Sequence, residues 1–360
     1  MTSTLTSLPP GPVLTWRALK RSSASDWPSV FELEQGRYFS SEAAALGAAL
    51  DLFHLTPGTP VLVPSVLGPG LLPALRAREI TALFYRLQED FSPDLEHAER
   101  LLRFKPRAII AGHPFGIARA LDDTAAFARD HSLPFIEDCT EALWGQAHGR
   151  RDLPLPIGSQ GRVCLAAPAR HLPGWDVGIL ASAGGLDLPS PEPAPSAISL
   201  GRAAGALAGV LGQAIKPGRA AAEPEVSRNA PSREEVRSAP RGSESWYRAL
   251  NHQHCIEQRR THYHRLSLEL AETGVFSPLL PKLPDGAVPM LYPVDSPERN
   301  RVLAILEDSG IPATNLAGRV PTELNIGVCA LADRLRDHGL GLPCHQSLRP
   351  PRWTSRWPSC

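Results

Sequence analysis

The feature that most constrains the fold is an alternation of short apolar runs with helical segments along residues 41–137. The sequence predicts helices at 41–53, 70–78, 93–103 and 122–131, and strands at 61–64, 80–85, 108–111 and 134–137. Strand, helix and strand at this spacing are typical of βαβ units and of a mainly parallel sheet. We therefore expect an α/β protein with a three-layer large domain and a smaller C-terminal α/β domain.

Composition divides the chain into three parts. Residues 1–186 are expected to form the large domain, and residues 244–360 the small domain and a tail. The segment 187–243 is rich in Pro, Ala and Gly, and we expect a flexible insertion or linker there, apart from one helix near 203–215. In the small domain we expect a single helix at 244–272, a strand at 288–294 and a helix at 299–309.

Charge and cysteine usage exclude several classes of protein. The 360 residues carry a formal net charge of zero, so neither nucleic acid nor an anionic membrane surface is an expected partner. The six cysteines are scattered without a C-x-x-C pair, and no apolar signal segment follows Met1, which indicates a reducing, cytoplasmic location. The longest apolar run, at 203–215, is too short to span a bilayer.

A ligand site is expected where the parallel strands end. Sheets of this kind bind ligands at the carboxyl ends of their strands. Two such ends carry polar residues, the segment 113–116 beginning with His113 and the segment 138–141 containing Asp138 and Glu141. The predicted pocket therefore lies between these two segments.

Seven short motifs occur in an order found in a known family. They are Ser-Ser at 40–41, Pro-Gly at 57–58 followed by Val-Leu-Val-Pro-Ser at 61–65, His-Pro-Phe-Gly at 113–116, Ile-Glu-Asp-Cys at 136–139, Gly-Ser at 158–159, Trp-Asp-Val-Gly at 175–178 and Leu-Gly-Leu-Pro-Cys-His at 340–345. In this order they resemble the DegT/DnrJ/StrS-type sugar aminotransferases. That family has the aspartate-aminotransferase fold, which is fold type I of the pyridoxal phosphate proteins.

The resemblance assigns site residues and exposes one departure. It implies that Asp138, Glu141, Ser41 and His113 occupy former cofactor-binding positions. Where the family has its Schiff-base lysine, this chain has Arg170, whose guanidinium stays protonated and does not form an imine. The chain has four lysines, and none lies between Lys105 and Lys216. We therefore expect no cofactor, and pyridoxal phosphate only if the chain is an active aminotransferase after all.

Other positions of the family pattern have also changed. Glu42 stands in the phosphate-binding loop, where an acidic side chain opposes phosphate binding at a helix N-terminus. Leu165 replaces a hydroxyl that contacts the phosphate. The aromatic residue that stacks on the cofactor ring falls at Val66 or Leu67.

Each residue also has a structural interpretation. Asp138 is an ordinary turn residue in the alternative reading, and His113 a buried histidine with protein partners. Arg170 either binds an anion, such as the diphosphate of a nucleotide sugar, or pairs with a carboxylate such as Asp176. The cluster at positions 252, 254, 255, 262 and 264 of the long helix could hold zinc, but a solvated helical face is expected, and we predict no metal site.

Three functional hypotheses follow. The first is a catalytically degenerate homologue in amino-sugar or surface-polysaccharide biosynthesis, acting as a binding, regulatory or pseudo-subunit protein. The second is an enzyme that uses the pocket without a Schiff base, and the third is an active nucleotide-sugar aminotransferase. The resemblance implies a homodimer, or a heterodimer with an active paralogue, and a nucleotide sugar as a possible ligand.

Overall fold

The computed structural model describes residues 8–20, 25–150, 152–193, 236–271 and 274–348. The expectations of a flexible segment and of a helix near 203–215 fall on residues 194–235 and lie outside this range. The irregular tail expected after residue 348 also lies outside it.

The described residues form nine α-helices and thirteen strands. The helices are α1 (Trp16–Leu19), α2 (Glu42–Leu52), α3 (Leu71–Ala77), α4 (Leu95–Leu101), α5 (Asp122–Asp130), α6 (Ser243–Ala249), α7 (His252–Leu270), α8 (Arg299–Asp308) and α9 (Ala330–His338). The first nine strands are β1 (Gln35–Phe39), β2 (Pro60–Pro64), β3 (Thr81–Tyr85), β4 (Ile109–Gly112), β5 (Phe135–Cys139), β6 (Gln146–His148), β7 (Pro154–Pro156), β8 (Val163–Ala166) and β9 (Gly178–Ser182). The last four are β10 (Ser277–Pro278), β11 (Leu291–Asp295), β12 (Thr314–Asn315) and β13 (Gly339–Pro343).

The central sheet has seven strands in the order β1-β9-β8-β5-β4-β2-β3. Five adjacent strands of this sheet, β3, β2, β4, β5 and β8, pair in parallel, and β9 is antiparallel to both of its neighbours. This arrangement confirms the predicted α/β fold with a mainly parallel sheet. It also brings the carboxyl ends of β2, β4 and β5 to one edge.

Both faces of the central sheet are covered, as the three-layer prediction requires. On β4, Ile110 packs with Ile136 in a core that includes α2 and α3. Its neighbours Ile109 and Ala111 point to the opposite face and pack with residues of α5 and α7. Because successive side chains of a strand alternate between faces, a continuous apolar run at β4 fits a strand buried on both sides.

The C-terminal part forms a second, four-stranded antiparallel sheet in the order β10-β11-β13-β12. Its buried residues, such as Tyr292 and Leu342, belong to the same core cluster as Phe115 and Phe127 of the large sheet's flank. The small α/β unit is therefore packed directly on the large one. The boundaries proposed at 186 and 244 remain predictions.

The sequence predicted one helix at 244–272, and this prediction is wrong. The structure has two helices, α6 and α7, separated by Leu250 in an extended conformation (φ −71°, ψ 156°). Asn251 caps α7 by accepting a hydrogen bond from the backbone N–H of His254 over 3.0 Å. Asn competes for backbone hydrogen bonds in this way, which favours a helix start over a helix interior. The strand expected at 288–294 is shorter and is observed as β11.

The two ends of the predicted insertion lie side by side. Ser238 donates a backbone hydrogen bond to the carbonyl of Glu192 over 2.8 Å. Its neighbour Ala239 donates to the carbonyl of Tyr38 on β1 over 3.0 Å. The chain therefore leaves and re-enters the body beside the outer strand of the large sheet.

No helix within the described residues combines the length and the apolar character that crossing a membrane requires.

Gly112 is required by close approach of β4 and β5. A Cβ atom at this position would lie 2.2 Å from the carbonyl oxygen of Asp138, which is backbone and cannot rotate away. We expect Gly112→Ala to lower the free energy of unfolding by about 3 kcal/mol, measured by urea denaturation. Gly11→Ala is the control, since nothing lies within 4 Å of its Cβ position. Equal stability of the two variants would contradict this packing.

Candidate functional site

A cleft lies at the carboxyl ends of β2, β4 and β5, where the sequence placed the pocket. Its walls combine apolar and aromatic side chains with polar groups, and three of its polar side chains come from the two predicted segments. It is lined by Pro64, Val66, Leu67, Gly68, Tyr85, Leu87, Phe91, Pro93, Gly112, His113, Pro114, Asp138 and Glu141.

Asp138 presents a carboxylate to this cleft from β5. Its Oδ1 accepts hydrogen bonds from the backbone N–H and the hydroxyl of Thr140, over 3.0 and 2.6 Å. Its Oδ2 has no hydrogen bond within the described part of the chain. Burial raises the pKa of Asp138 to about 6; the bonds from Thr140 oppose this, and the nearby carboxylates of Glu42 and Glu141 add to it. Asp138 thus has one oxygen that accepts hydrogen bonds from the protein and one that does not, and its carboxyl group exchanges a proton close to neutral pH.

His113 is a structural residue rather than an open ligand of the cleft. Its Nδ1 accepts the backbone N–H of Arg119 over 3.0 Å, so the ring proton lies on Nε2. Nε2 then donates to Oε1 of Glu137 over 2.9 Å, and both side chains are fully buried. Both ring nitrogens therefore have protein partners, in agreement with the structural interpretation of His113.

Glu137, which the sequence analysis did not single out, organises the loop before β8. Its carboxylate accepts the backbone N–H groups of Gly158, Gln160 and Gly161 over 2.6 to 2.8 Å, in addition to the bond from His113. Burial alone would raise the pKa of Glu137, but the bonds from His113, Gly161 and Gly158 outweigh it and hold the pKa below its usual value. The sequence contained one signal of this role: a Glu within an otherwise apolar, buried strand indicates a carboxylate that needs hydrogen-bond donors inside the protein.

Three potential metal ligands meet beside this hub, and each already interacts with protein groups. The ligand atoms of His113, Glu137 and Cys139 lie within 4.8 Å of one another. His113 already carries its proton on Nε2, and Glu137 is saturated by backbone donors. Burial also raises the pKa of the Cys139 thiol well above its usual value, with Cys164 and Glu137 adding to the effect, so the thiolate is disfavoured. The group is a hydrogen-bonded network.

Arg170, at the position that the resemblance assigns to lysine, pairs with Glu42. Arg170 lies in the 3-10 turn Pro168–Arg170 after β8, and its Nε and Nη2 donate to Oε2 of Glu42 over 3.1 and 2.6 Å. The side chains are 14% and 11% exposed, so this is a largely buried pair. Glu42 is therefore a carboxylate partner of Arg170 that the sequence did not suggest; the neighbour named from the sequence was Asp176.

Ser41 and Glu42 together begin α2. The hydroxyl of Ser41 accepts the backbone N–H of Ala44 over 3.1 Å and so serves as the N-cap. Glu42 is the first helical residue, and its carboxylate complements the positive end of the helix. Ser41, a predicted cofactor-binding residue, thus uses its hydroxyl oxygen to cap α2.

A second buried ion pair, which sequence reasoning missed, crosses from the small unit to the cleft. Arg319, in the turn Leu316–Arg319, donates from Nη1 to Oε1 of Glu141. Oε2 of Glu141 accepts the backbone N–H of Phe115 over 2.9 Å. The predicted site residue Glu141 therefore binds protein groups with both oxygens. Arg319 is distant in sequence and lies in no recognised motif, so no local signal could have paired it.

The segment that follows Arg170 is fixed from the small unit. Arg259 of α7 is fully buried, and its Nη2 donates to the carbonyl of His171 over 3.1 Å, while Gln346 donates to the same oxygen over 2.8 Å. The other guanidinium nitrogens donate to the side chain of Gln346 and to the carbonyls of Pro289 and Met290. The backbone beside Arg170 is therefore held from two sides.

The His-rich helix departs from its predicted solvated face. His252 accepts the indole N–H of Trp144 over 2.9 Å and donates from Nε2 to the carbonyl of Tyr247 over 2.8 Å. Cys255 and His262 are buried, and only His264 of the five is exposed. The exposed-face expectation is wrong because α7 is packed between the two sheets' cores.

Pyridoxal phosphate, the cofactor that this fold implies, can be tested against these residues. It requires an amine for the imine and a donor-rich phosphate site. The described lysines, Lys20, Lys105 and Lys282, are exposed and none lines the cleft, while Lys216 lies outside the described residues. Glu42 stands at the N-terminus of α2, Leu165 is buried in the core, and Val66 and Leu67 occupy the wall where the resemblance places a stacking aromatic. The described residues do not fit this cofactor.

Asp138 gives the site a pH dependence with a defined sign. Its pKa is raised in the folded state, so its ionisation costs stability as the pH rises from about 4 to about 6. We expect Asp138→Asn to increase the free energy of unfolding relative to the unmodified chain, by an amount that grows over this range and reaches roughly 3 kcal/mol above pH 7. Urea denaturation between pH 4 and 8 measures it. Asp308→Asn, at an exposed residue of α8, is the control, and a pH-independent difference for Asp138→Asn would contradict the assignment.

Comparison with known proteins agrees with this fold and with the sequence motifs. Residues 37–163 match the model of the DegT/DnrJ/EryC1/StrS aminotransferase family. A UDP-N-acetyl-3-dehydro-alpha-D-glucosamine 3-aminotransferase from Acidithiobacillus ferrooxidans is 28% identical over 112 residues, which is 31% of this chain and 30% of that protein. The match thus spans less than a third of this relative's length.

Solved aminotransferases share the fold over nearly the whole chain. TlmJ from Streptoalloteichus hindustanus superposes with a TM-score of 0.65 at 21% identity, covering 96% of this chain and 95% of that one. DesV from S. venezuelae, solved with a ketimine intermediate, gives 0.65 at 19%, and a DegT/DnrJ/EryC1/StrS aminotransferase from Brucella abortus gives 0.63 at 18%; each covers 91% of this chain and 85% of the other. The predicted resemblance is confirmed: this chain has a DegT/DnrJ/EryC1/StrS aminotransferase family match in residues 37–163 and the fold of pyridoxal phosphate-dependent aminotransferases.

Proposed function

We propose that this chain is a catalytically degenerate aminotransferase homologue that binds a ligand or a partner without forming a Schiff base. The observation that carries the proposal is the buried Arg170–Glu42 pair. A guanidinium remains protonated and is not a nucleophile towards an aldehyde, and here it is bound to a carboxylate of α2. The residue at the family's lysine position therefore forms a structural ion pair with the start of α2.

Its role, in this proposal, lies in amino-sugar or surface-polysaccharide biosynthesis. The family match and the relative that acts on a UDP-linked amino sugar support this pathway. Within it, the chain acts as a binding, regulatory or pseudo-subunit protein, with a nucleotide sugar as its candidate ligand. The cleft, with one open carboxylate oxygen on Asp138, is the candidate binding surface.

Asp138 also supports a second candidate, an enzyme that uses the cleft without an imine. A carboxyl whose pKa is about 6 can exchange a proton near neutral pH, as a general acid or base must. Turnover of a sugar nucleotide that is lost in Asp138→Asn would favour this candidate over the pseudoenzyme.

The proposal predicts that the unmodified chain forms no covalent bond with pyridoxal phosphate. After incubation with an equimolar amount and reduction with borohydride, mass spectrometry should find only the unmodified mass. Arg170→Lys supplies an amine beside the cleft and is expected to give a weak adduct, whereas Arg76→Lys, at an exposed ion pair, is not. A stoichiometric adduct in the unmodified chain, at Lys216 or any other lysine, would return it to the active aminotransferases.

Assembly is the second consequence. Fold-type I proteins build their sites at subunit interfaces, and Trp16, a large apolar residue near the N-terminus, is 83% exposed in the single chain. We expect light scattering at micromolar concentration to give twice the chain mass of 38.9 kDa, or a mixed dimer when an active paralogue is co-expressed. Monomer under both conditions would remove the pseudo-subunit role.

A further inference from the structure

The residues that do not fit the expected cofactor include Glu42, whose carboxylate lies at the N-terminus of α2. Glu42 lies at the first position of α2, an eleven-residue helix whose free N–H groups and dipole favour an anion. In this chain the anion at that end is a side chain of the protein itself. Its Oε2 receives two donors of Arg170, so a charge of each sign occupies the site together.

The loop after β2 is shaped around this carboxylate. A Cβ atom at Gly70 would lie 2.5 Å from Oε1 of Glu42, so a side chain there would force the carboxylate to move from its present position. Gly70 has ordinary helical angles (φ −86°, ψ −22°), and its backbone conformation does not require glycine. The absence of a side chain at position 70 therefore leaves space for the carboxylate of Glu42.

One oxygen of the pair is left without a donor. Oε1 of Glu42 is buried and has no hydrogen-bond partner among the described residues. A buried, half-satisfied carboxylate is costly unless its counter-ion stays in place, so Glu42 and Arg170 depend on each other. The same carboxylate faces Asp138 closely enough to raise its pKa, which makes the region unfavourable for a further anion.

We propose that the Arg170–Glu42 pair is a built-in replacement for a phosphorylated cofactor: it makes the folded state independent of that cofactor and prevents a phosphate group from binding at the N-terminus of α2. A ligand that carries phosphates, such as a nucleotide sugar, has to place them away from this helix end and offers a hydrogen-bond donor to the open oxygen of Asp138. The inference deepens the proposed function and rests on it, since a chain that binds pyridoxal phosphate covalently would need no such replacement.

A double-mutant cycle tests the mutual dependence. Glu42→Gln removes the carboxylate that Arg170 binds, and Arg170→Gln leaves the buried carboxylate of Glu42 without its counter-ion. Each variant is expected to lower the Tm by roughly 5 °C. The double variant removes both charges and is expected to lose clearly less than the sum. The matched control is the exposed pair Arg76–Glu323, whose Gln variants should be nearly neutral and additive. Additive losses at positions 42 and 170 would overturn the proposal.

Phosphate binding provides a test that does not require the single variants to fold. Millimolar inorganic phosphate should not raise the Tm of the unmodified chain beyond the effect of chloride at equal ionic strength. The double variant Glu42→Gly with Arg170→Lys should gain a phosphate-dependent rise that the control, Glu323→Gly with Arg76→Lys, lacks. A rise in the unmodified chain as large as that in the double variant would overturn the proposal.

Gly70 supplies an independent arm. Gly70→Ala should displace Glu42 and lower the Tm as the Glu42→Gln variant does, with Gly11→Ala as the neutral control; no effect at Gly70 would contradict the shaped loop. These readouts are separate from the covalent adduct that decides the proposed function. A lysine adduct together with a non-additive Glu42–Arg170 cycle would reject the proposed function and retain the inference about the pair. Additive losses in the cycle without an adduct would retain the proposed function and reject the inference.

Discussion

The buried carboxylate of Glu137 is the interaction on which the site edge of the large sheet depends. It joins β5 to His113 after β4 and to three backbone N–H groups before β8, so one side chain fixes the relative positions of three segments. A buried charge is tolerated only when its acceptor capacity is filled by donors. This hub therefore needs no counter-ion, and it fixes the strand that carries Asp138 and the loop before β8, the strand that leads to Arg170.

The rest of the site is built from ion pairs that cross between distant segments. Arg170 joins the turn after β8 to the start of α2, and Arg319 joins the small unit to Glu141. Each guanidinium meets a carboxylate supplied by the chain. In proteins that keep a bound phosphate such donors are available to a ligand, whereas here their partners are internal. Both guanidiniums are consequently bound to carboxylates of the chain before any ligand arrives.

Sequence reasoning predicted the α/β class, most of the strand and helix positions in residues 41–137, and the cleft beside Asp138, because these depend on local periodicity and on parallel-sheet topology. It could not predict Glu42 as the partner of Arg170, or Arg319 as that of Glu141, since these pairs join residues 128 and 178 positions apart. The break at Leu250 was also missed, because Asn251 is compatible with a helix interior until tertiary packing turns the chain there.

Charge counting links these contacts to what the cleft can accept. Within the described residues, Glu42 is paired with Arg170 and Glu141 with Arg319, whereas no basic side chain binds the carboxylate of Asp138. The pKa of Asp138 is raised to about 6, mainly by burial, and the nearby carboxylates of Glu42 and Glu141 add to the rise. A phosphate bound beside these carboxylates would increase the repulsion, whereas a hydrogen-bond donor at Oδ2 of Asp138 would relieve it. We therefore expect a ligand of this cleft to place a hydrogen-bond donor, and not a phosphate, beside Asp138.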